Sequence, residues 1–366
     1  MQRWFAAAAA LLLWATPCFA QDLDATLKAA MTGTQTPAVG LLVIRGGKVV
    51  GQAVQGVRRN DGSRPATMND VWLIGSDGKP MTATLIARLV DRGVLSWDAP
   101  LSAMLPELAA QMRPDYRTVT LVQLLSHHAG FAHDIGDMAF LNSLYADKRS
   151  LPKQRLDYIA RTLKEPPEIA PGTAFRYSNT GFLIAAVIAE RATKTSYETL
   201  IRREVFGPLG MTTVGFGPTH DPQLIGHHGG KPIVRAEDSN PLMFAPARNM
   251  HMSLGDWAKF CLDQIAGGQG HGRLLSADSY RRMQTALPGG SSALAWGVQA
   301  SLAGRQGPVL THAGSDGNWN AIVALFPASG DGVLAAANAD EDMGGDKATK
   351  AALMAVLPTL SVAKAP

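Results

Sequence analysis

The segment Ile74-Gly75-Ser76-Asp77-Gly78-Lys79-Pro80 (IGSDGKP) follows the apolar run VWLI and precedes MTATLIARLVDRG. In that second run Met81, Leu85, Ile86, Leu89 and Val90 recur at helical spacing, and Gly93 is a natural stop. The segment therefore places a serine three residues before a lysine at the start of an amphipathic helix. Side chains with that spacing share one helical face, with Cβ atoms about 5–6 Å apart. A serine hydroxyl is a weak nucleophile until a base takes its proton. A lysine can be that base when burial or neighbouring charge lowers its pKa. The free N–H groups of a helix start can also stabilise an oxyanion. The plainer alternative is that Ser76 simply caps the helix.

Spacing alone does not decide between these roles, because the chain holds two more S-x-x-K matches, Ser150/Lys153 and Ser361/Lys364. Only Ser76/Lys79 is expected to open an amphipathic helix. Ser150 is read as part of a basic loop ahead of Pro152, and Ser361 as part of a frayed C-terminal tail.

Two further segments bear on the choice. GTAFRYSNTGFLIAAVIAE holds Tyr177-Ser178-Asn179, the one Y-x-N among six tyrosines, again just ahead of an amphipathic run. A tyrosine can relay protons, and an asparagine amide can hold a lysine or a substrate carbonyl. Core packing of Tyr177 and capping by Asn179 are the alternatives. LTHAGSDGNWNAIVALFP carries His312-Ala313-Gly314 on an expected strand, where glycine lets a ligand approach the backbone. H-x-G recurs at His128, His227 and His228, so this motif is weak by itself.

The chain has 366 residues, 46% of them apolar, a globular composition. Its start, MQRWFAAAAALLLWATPCFA, has one arginine, a short apolar core and small residues ending at Ala20. This is the pattern of a signal peptide over residues 1–20, and it predicts a periplasmic or secreted protein with no membrane anchor after cleavage. Cys18 would leave with it, so Cys261 would be the single remaining cysteine and no internal disulfide could form. The net charge of +4 comes without a dense basic block, which gives no support to a nucleic-acid partner.

The expected order of elements is strands, a helical middle, strands and a last helix. Residues 38–57 read as a hairpin turning at Gly46-Gly47. Helices are expected at 180–191 and 253–265, strands at 296–302, 309–312, 318–326 and 332–337, and a helix at 346–356. One economical assembly is an α+β fold. Both chain ends would pair into an antiparallel sheet, and a helical subregion of about 80–285 would pack beside it within a single domain, 21–366. A site drawing on all three parts would lie in the cleft between them.

The three motifs, in this order and with these flanks, resemble the penicillin-recognising serine hydrolases. The nearest branch holds class C β-lactamases, D-alanyl-D-alanine carboxypeptidases, D-aminopeptidases and related esterases. The resemblance runs from about Val39 to Val356 and includes LLSHHAGF (124–131), PGTAFRYSNTGF (171–182) and PLGMTTVGF (208–216). It implies a β-lactamase/transpeptidase-like fold and a small-molecule or peptide substrate with an ester, D-amino-acid peptide or β-lactam bond. It further implies that Ser76 is acylated, Lys79 accepts its proton and Tyr177 shuttles that proton. Asn179 would orient Lys79 and the substrate, and His312 and Gly314 would line the edge strand. The N–H groups of Ser76 and Ser315 would form the oxyanion hole.

Four residues depart from the family pattern. Gly78 and Pro80 flank the lysine, His312 stands where β-lactamases carry lysine, and Arg248 stands where relatives often have glycine. Gly78 and Pro80 keep a second reading open, a catalytically impaired relative that binds peptidoglycan-like peptides. A metal site from His127, His128, His133, Asp134 and Asp137 lacks ligand spacing, and no motif calls for a cofactor.

Overall fold

The computed structural model describes residues 22–360. The segment read as a signal peptide, with Cys18, and the Ser361/Lys364 pair lie outside the described residues. Six strands form the main sheet: β1 (Ala38–Arg45), β2 (Lys48–Gly56), β3 (Gly297–Leu302), β4 (Arg305–Ser315), β5 (Asn320–Phe326) and β6 (Asp331–Ala337). They run antiparallel in the order β2-β1-β6-β5-β4-β3, so the two ends of the chain share one sheet as the sequence suggested. The seam between those ends is the β1–β6 ladder, which aligns Val39 with Ala337 and Val43 with Val333. Between β1 and β2 the chain reverses at Gly46 and Gly47, both at positive φ (53° and 74°), as a tight hairpin turn requires.

Six of the helices organise the rest: α1 (Leu23–Met31), α2 (Lys79–Asp91), α3 (Leu151–Thr162), α4 (Thr180–Thr193), α5 (Leu254–Gly268) and α6 (Gly345–Val356). Alternation along β1 decides which of them it meets. Val39, Leu41 and Val43 face a core shared with Leu27 of α1 and Leu353 and Val356 of α6. Ala38, Leu42 and Ile44 face the larger core built from α2, α4 and α5. With both faces covered, β1 and β6 are buried along nearly their whole length. Each such branched side chain stabilises the fold by about 1.5–3 kcal/mol.

Two expectations need correction. β4 begins at Arg305, not Val309, because its ladder with β3 and an ion pair from Arg305 to Asp331 (2.8 Å) carry the strand through polar residues. Ser150 does not lie in a loop. It is the residue before α3, and Pro152 fits in that helix's first turn. The Ser150/Lys153 pair thus also opens an amphipathic helix, but both residues are exposed. Burial, and not helix position, is what separates it from Ser76/Lys79, which are buried.

Within the helical region α3 supplies a second buried cation. Arg155 is fully buried, with Nη2 2.6 Å from Glu190 Oε1 and Nη1 2.9 Å from Glu198 Oε1. Cys261 of α5 is buried and free. Among the described residues no helix is long and apolar enough to cross a membrane.

Candidate active site

Ser76 lies in a single 3-10 turn, Gly75–Gly78, that leads directly into α2. Strand β4 presses onto that turn backbone against backbone. A Cβ on Gly314 would stand 2.1 Å from the Ile74 carbonyl oxygen and 2.8 Å from the Ser76 nitrogen. One on Gly75, which sits at positive φ, would stand 2.5 Å from the Ser315 nitrogen. Both glycines are therefore needed for the backbone around Ser76 to lie this close to that around Ser315, the two residues expected to supply oxyanion-hole amides.

The side chains close a ring around the Ser76 hydroxyl. Lys79 Nζ lies 2.9 Å from Ser76 Oγ, and the Tyr177 hydroxyl donates to the same oxygen at 2.7 Å. Nζ also donates to Asn179 Oδ1 (2.7 Å) and to the Ala247 carbonyl (2.9 Å), and it sits 4.8 Å from the centre of the Tyr177 ring. Lys79 is fully buried, and burial, followed by the positive charge of Arg248, holds its pKa well below the ordinary lysine value. A neutral amine has two N–H groups, which the two carbonyl oxygens consume. Its lone pair then faces the serine proton. Burial pushes the Tyr177 phenol up to about 12, so it stays protonated and can donate.

Neither Gly78 nor Pro80 disturbs this ring. Pro80 is in the first turn of α2, where its missing N–H has no intrahelical carbonyl to lose. Gly78 continues the turn at φ −73°, and the space its side chain would fill is taken by the flexible Met250. The capping alternatives for Ser76 and Asn179 do not describe these side chains either. Gly78 is the cap residue of α2, and Asn179 precedes α4 without a side-chain capping bond.

A second layer orients the first. Asn179 Nδ2 donates to both oxygens of Asp134 (3.2 and 3.3 Å), which fixes the amide with Oδ1 toward Lys79. Asp134 also meets His133 Nδ1 (2.8 Å) and Arg248 Nη1 (3.2 Å). Burial works against its charge, but the His133 hydrogen bond and the Arg248 charge hold its carboxyl below the usual range. His127 stacks on Tyr177 at 4.4 Å and accepts the Ser178 N–H at Nδ1 (3.1 Å). Burial and then the Lys79 charge keep it well below the ordinary histidine value. Thus His127, His133 and Asp134 brace Tyr177 and Asn179. Among the described residues no group of three His, Cys, Asp or Glu could hold a metal.

His312 lies beside the turn on β4. Its Nδ1 is 3.2 Å from Asp77 Oδ1 and 3.0 Å from the Ala313 carbonyl oxygen, so neither Asp77 oxygen receives a well-formed hydrogen bond. Asp77 is buried, which raises its pKa, with His312 and Lys79 pulling it back. A cleft of about 1140 Å³ runs from Tyr177 and His312 past Phe175, Trp296 and Thr311. The structure brings Ser76, Lys79, Tyr177, Asn179, His312, Gly314 and Ser315 into one site. Sequence reasoning missed Asp77, His127 and Asp134 as supports, and it noted Arg248 only as a departure from the family pattern.

An α+β fold with helices on both faces of its sheet and a buried Ser–Lys–Tyr ring at the sheet–helix junction defines a class of serine hydrolases. A sequence model of the family described as Beta-lactamase matches residues 23–357, and the chain belongs to that family. It is 28% identical to Esterase EstB of Burkholderia gladioli, over 76% of this chain and 78% of that protein. It is 24% identical to Protein flp of Staphylococcus aureus (strain COL), covering 88% of this chain but only 64% of the length of flp. Two solved structures share the fold. The octameric penicillin-binding protein homologue from Pyrococcus abyssi has a TM-score of 0.75 at 22% identity, over 92% of this chain and 76% of that one. SurE has a TM-score of 0.76 at 24% identity, over 94% and 77%.

Proposed function

We propose that the protein is an exported serine hydrolase that forms an acyl-enzyme on Ser76 with ester, D-amino-acid peptide or β-lactam carbonyls. The observation that carries this reading is the Tyr177–Ser76–Lys79 ring, with both contacts under 3 Å and the lysine held by neutral acceptors alone. Export rests on the pattern of residues 1–20, which directs the chain to the periplasm or beyond. The name of Esterase EstB favours ester chemistry within the list.

Neutral Lys79 takes the Ser76 proton as Oγ attacks the substrate carbonyl. The developing oxyanion sits between the N–H groups of Ser76 and Ser315, each such donor being worth about 3–4 kcal/mol. Collapse of the tetrahedral intermediate breaks the bond to the leaving group, which receives the proton through the Tyr177 hydroxyl. Water then attacks the acyl-enzyme, giving its proton back along the same path, and Ser76 leaves protonated. Asn179 holds Lys79 in place throughout. The binding-only alternative depended on Gly78 and Pro80, and neither separates Lys79 from Ser76.

The test is labelling with a fluorophosphonate and location of the adduct by mass spectrometry. We expect one adduct, on Ser76, absent from Ser76→Ala, together with turnover of p-nitrophenyl esters. The absence of any adduct, with no turnover of those esters, nitrocefin or D-Ala-D-Ala peptides, would overturn the reading in favour of the binding-only relative.

A further inference from the structure

We propose that the buried Asp77 carboxylate, paired with His312, makes this site selective for uncharged esters over those carrying a carboxylate beside the scissile bond. The inference rests on the hydrolase reading above and deepens it by naming the substrate class.

It follows from the fate of each cation near Ser76. Lys79 is buried among neutral acceptors and pushed toward its uncharged form. Arg248 is tied to Asp134 at 3.2 Å. His133 meets the same carboxylate. His312 is the cation candidate at the cleft wall on β4, three residues before Ser315, and its side chain is only 9% exposed. Directly beneath it lies Asp77, whose side chain is 0% exposed and whose charge no other contact satisfies. Asp316, next to Ser315, adds a further carboxyl, with Oδ2 buried and without a hydrogen-bond partner. Lys79 is thus made neutral, and Arg248, His133 and His312 are each opposed by a carboxylate; the further lysine of the cleft lining, Lys350, belongs to α6 and not to the Ser76 turn or β4. A substrate carboxylate entering beside His312 would shed its water without meeting a free cation, and this cost is large in a partly buried site.

Asp77 acts here through His312, so it is a positioning and specificity-determining residue. The test uses two esters with the same acyl group, phenyl phenylacetate and its 3-carboxyphenyl counterpart. Both give the same acyl-enzyme, so a merely structural defect lowers both rates and leaves their ratio alone. We expect the wild-type kcat/KM to favour the uncharged ester by about tenfold or more. Asp77→Asn should move the ratio toward the carboxylate by about tenfold, as should His312→Lys independently. A wild type that treats the two esters alike or prefers the charged one would overturn the proposal. So would a ratio unmoved in both variants while Ser76 still labels. Failure of Ser76 to label, with neither ester turned over, would instead strike the hydrolase reading itself.

Discussion

Lys79 and Arg155 are both fully buried basic side chains, yet they live in opposite surroundings. Arg155 meets two carboxylates, Glu190 and Glu198. Burial alone would lower its pKa, but the two negative charges outweigh that cost and raise it above the ordinary arginine value. Lys79 touches a hydroxyl and two neutral carbonyl oxygens, and its pKa falls. The chemical difference lies in what is placed at contact distance. Anionic partners make a buried cation a structural tie between α3, α4 and the segment after them. Neutral acceptors make it a base.

The largest effect should come from exchanging the charge at each place. Lys79→Met should lower kcat/KM on a p-nitrophenyl ester by about 10³–10⁴-fold, the upper range for loss of a general base, with thermal stability equal to or above wild type. Arg155→Met strands two carboxylates in the helical core. It should cost roughly 3–5 kcal/mol of unfolding free energy in denaturant titration, with the rate per folded molecule preserved. If Lys79→Met collapses the fold, or Arg155→Met leaves it untouched, the contrast between the two cations is wrong.

Titration sharpens the same contrast. Catalysis needs Lys79 neutral, so acylation should fall by about tenfold per pH unit once pH drops below its depressed pKa. The folded protein holds Lys79 with fewer protons than the unfolded chain does between that pKa and the ordinary value of 10.5. In that window the Lys79 contribution to stability is present at high pH and lost as pH falls. The difference in unfolding free energy between wild type and Lys79→Met should follow this slope. No such slope should appear for Arg155, which stays charged in both states.

The residues of the site that proved legible in the sequence are those set by local signals. Ser76, Lys79, Tyr177 and Asn179 stand next to helix starts, and Gly314 stands in a strand, so periodicity and turn chemistry made them candidates and the family resemblance chose among their roles. The sheet was legible too, because the apolar runs at both ends and the Gly46-Gly47 turn mark its strands. Asp134 and Arg248 were not, since their partners are distant in sequence: Asp134 meets Asn179 45 residues away. Nor did the sequence show that Asp77 would be buried. Ser76 and Asp77 are both buried, and the approach of β4, with a Cβ on Gly314 placed 2.8 Å from the Asp77 nitrogen, seals the aspartate in. The Ser150/Lys153 pair shows the limit most clearly, for it has the motif and the helix but not the burial.

A smaller effect tests the orienting layer. Asp134→Asn frees the Asn179 amide to turn and leaves Arg248 unpaired near Lys79, so kcat should fall by about 10–100-fold. A hydrogen–deuterium comparison should show the fold intact, and KM should change less than kcat because Lys79 is displaced more than the cleft walls. An unchanged kcat would mean that Lys79 is held by Ala247 and Ser76 alone.

The smallest effect belongs to the two residues that look most disruptive in the motif. Pro80→Ala restores an N–H at the first turn of α2, where none is needed, so both stability and kcat/KM should stay near wild type, within about 0.5 kcal/mol. Gly78→Ala trades two opposing terms. The native φ of −73° suits alanine, and removing glycine lowers the entropy of the unfolded chain by about 0.4–1 kcal/mol. Against this, the new Cβ would sit 3.2 Å from the Met250 sulfur, a side chain flexible enough to give way. The net change should be under about 1 kcal/mol, with Ser76 still labelled at close to the wild-type rate. A loss of tenfold or more in either variant would place control of Lys79 in the helix start and not in the neutral acceptors around its amine.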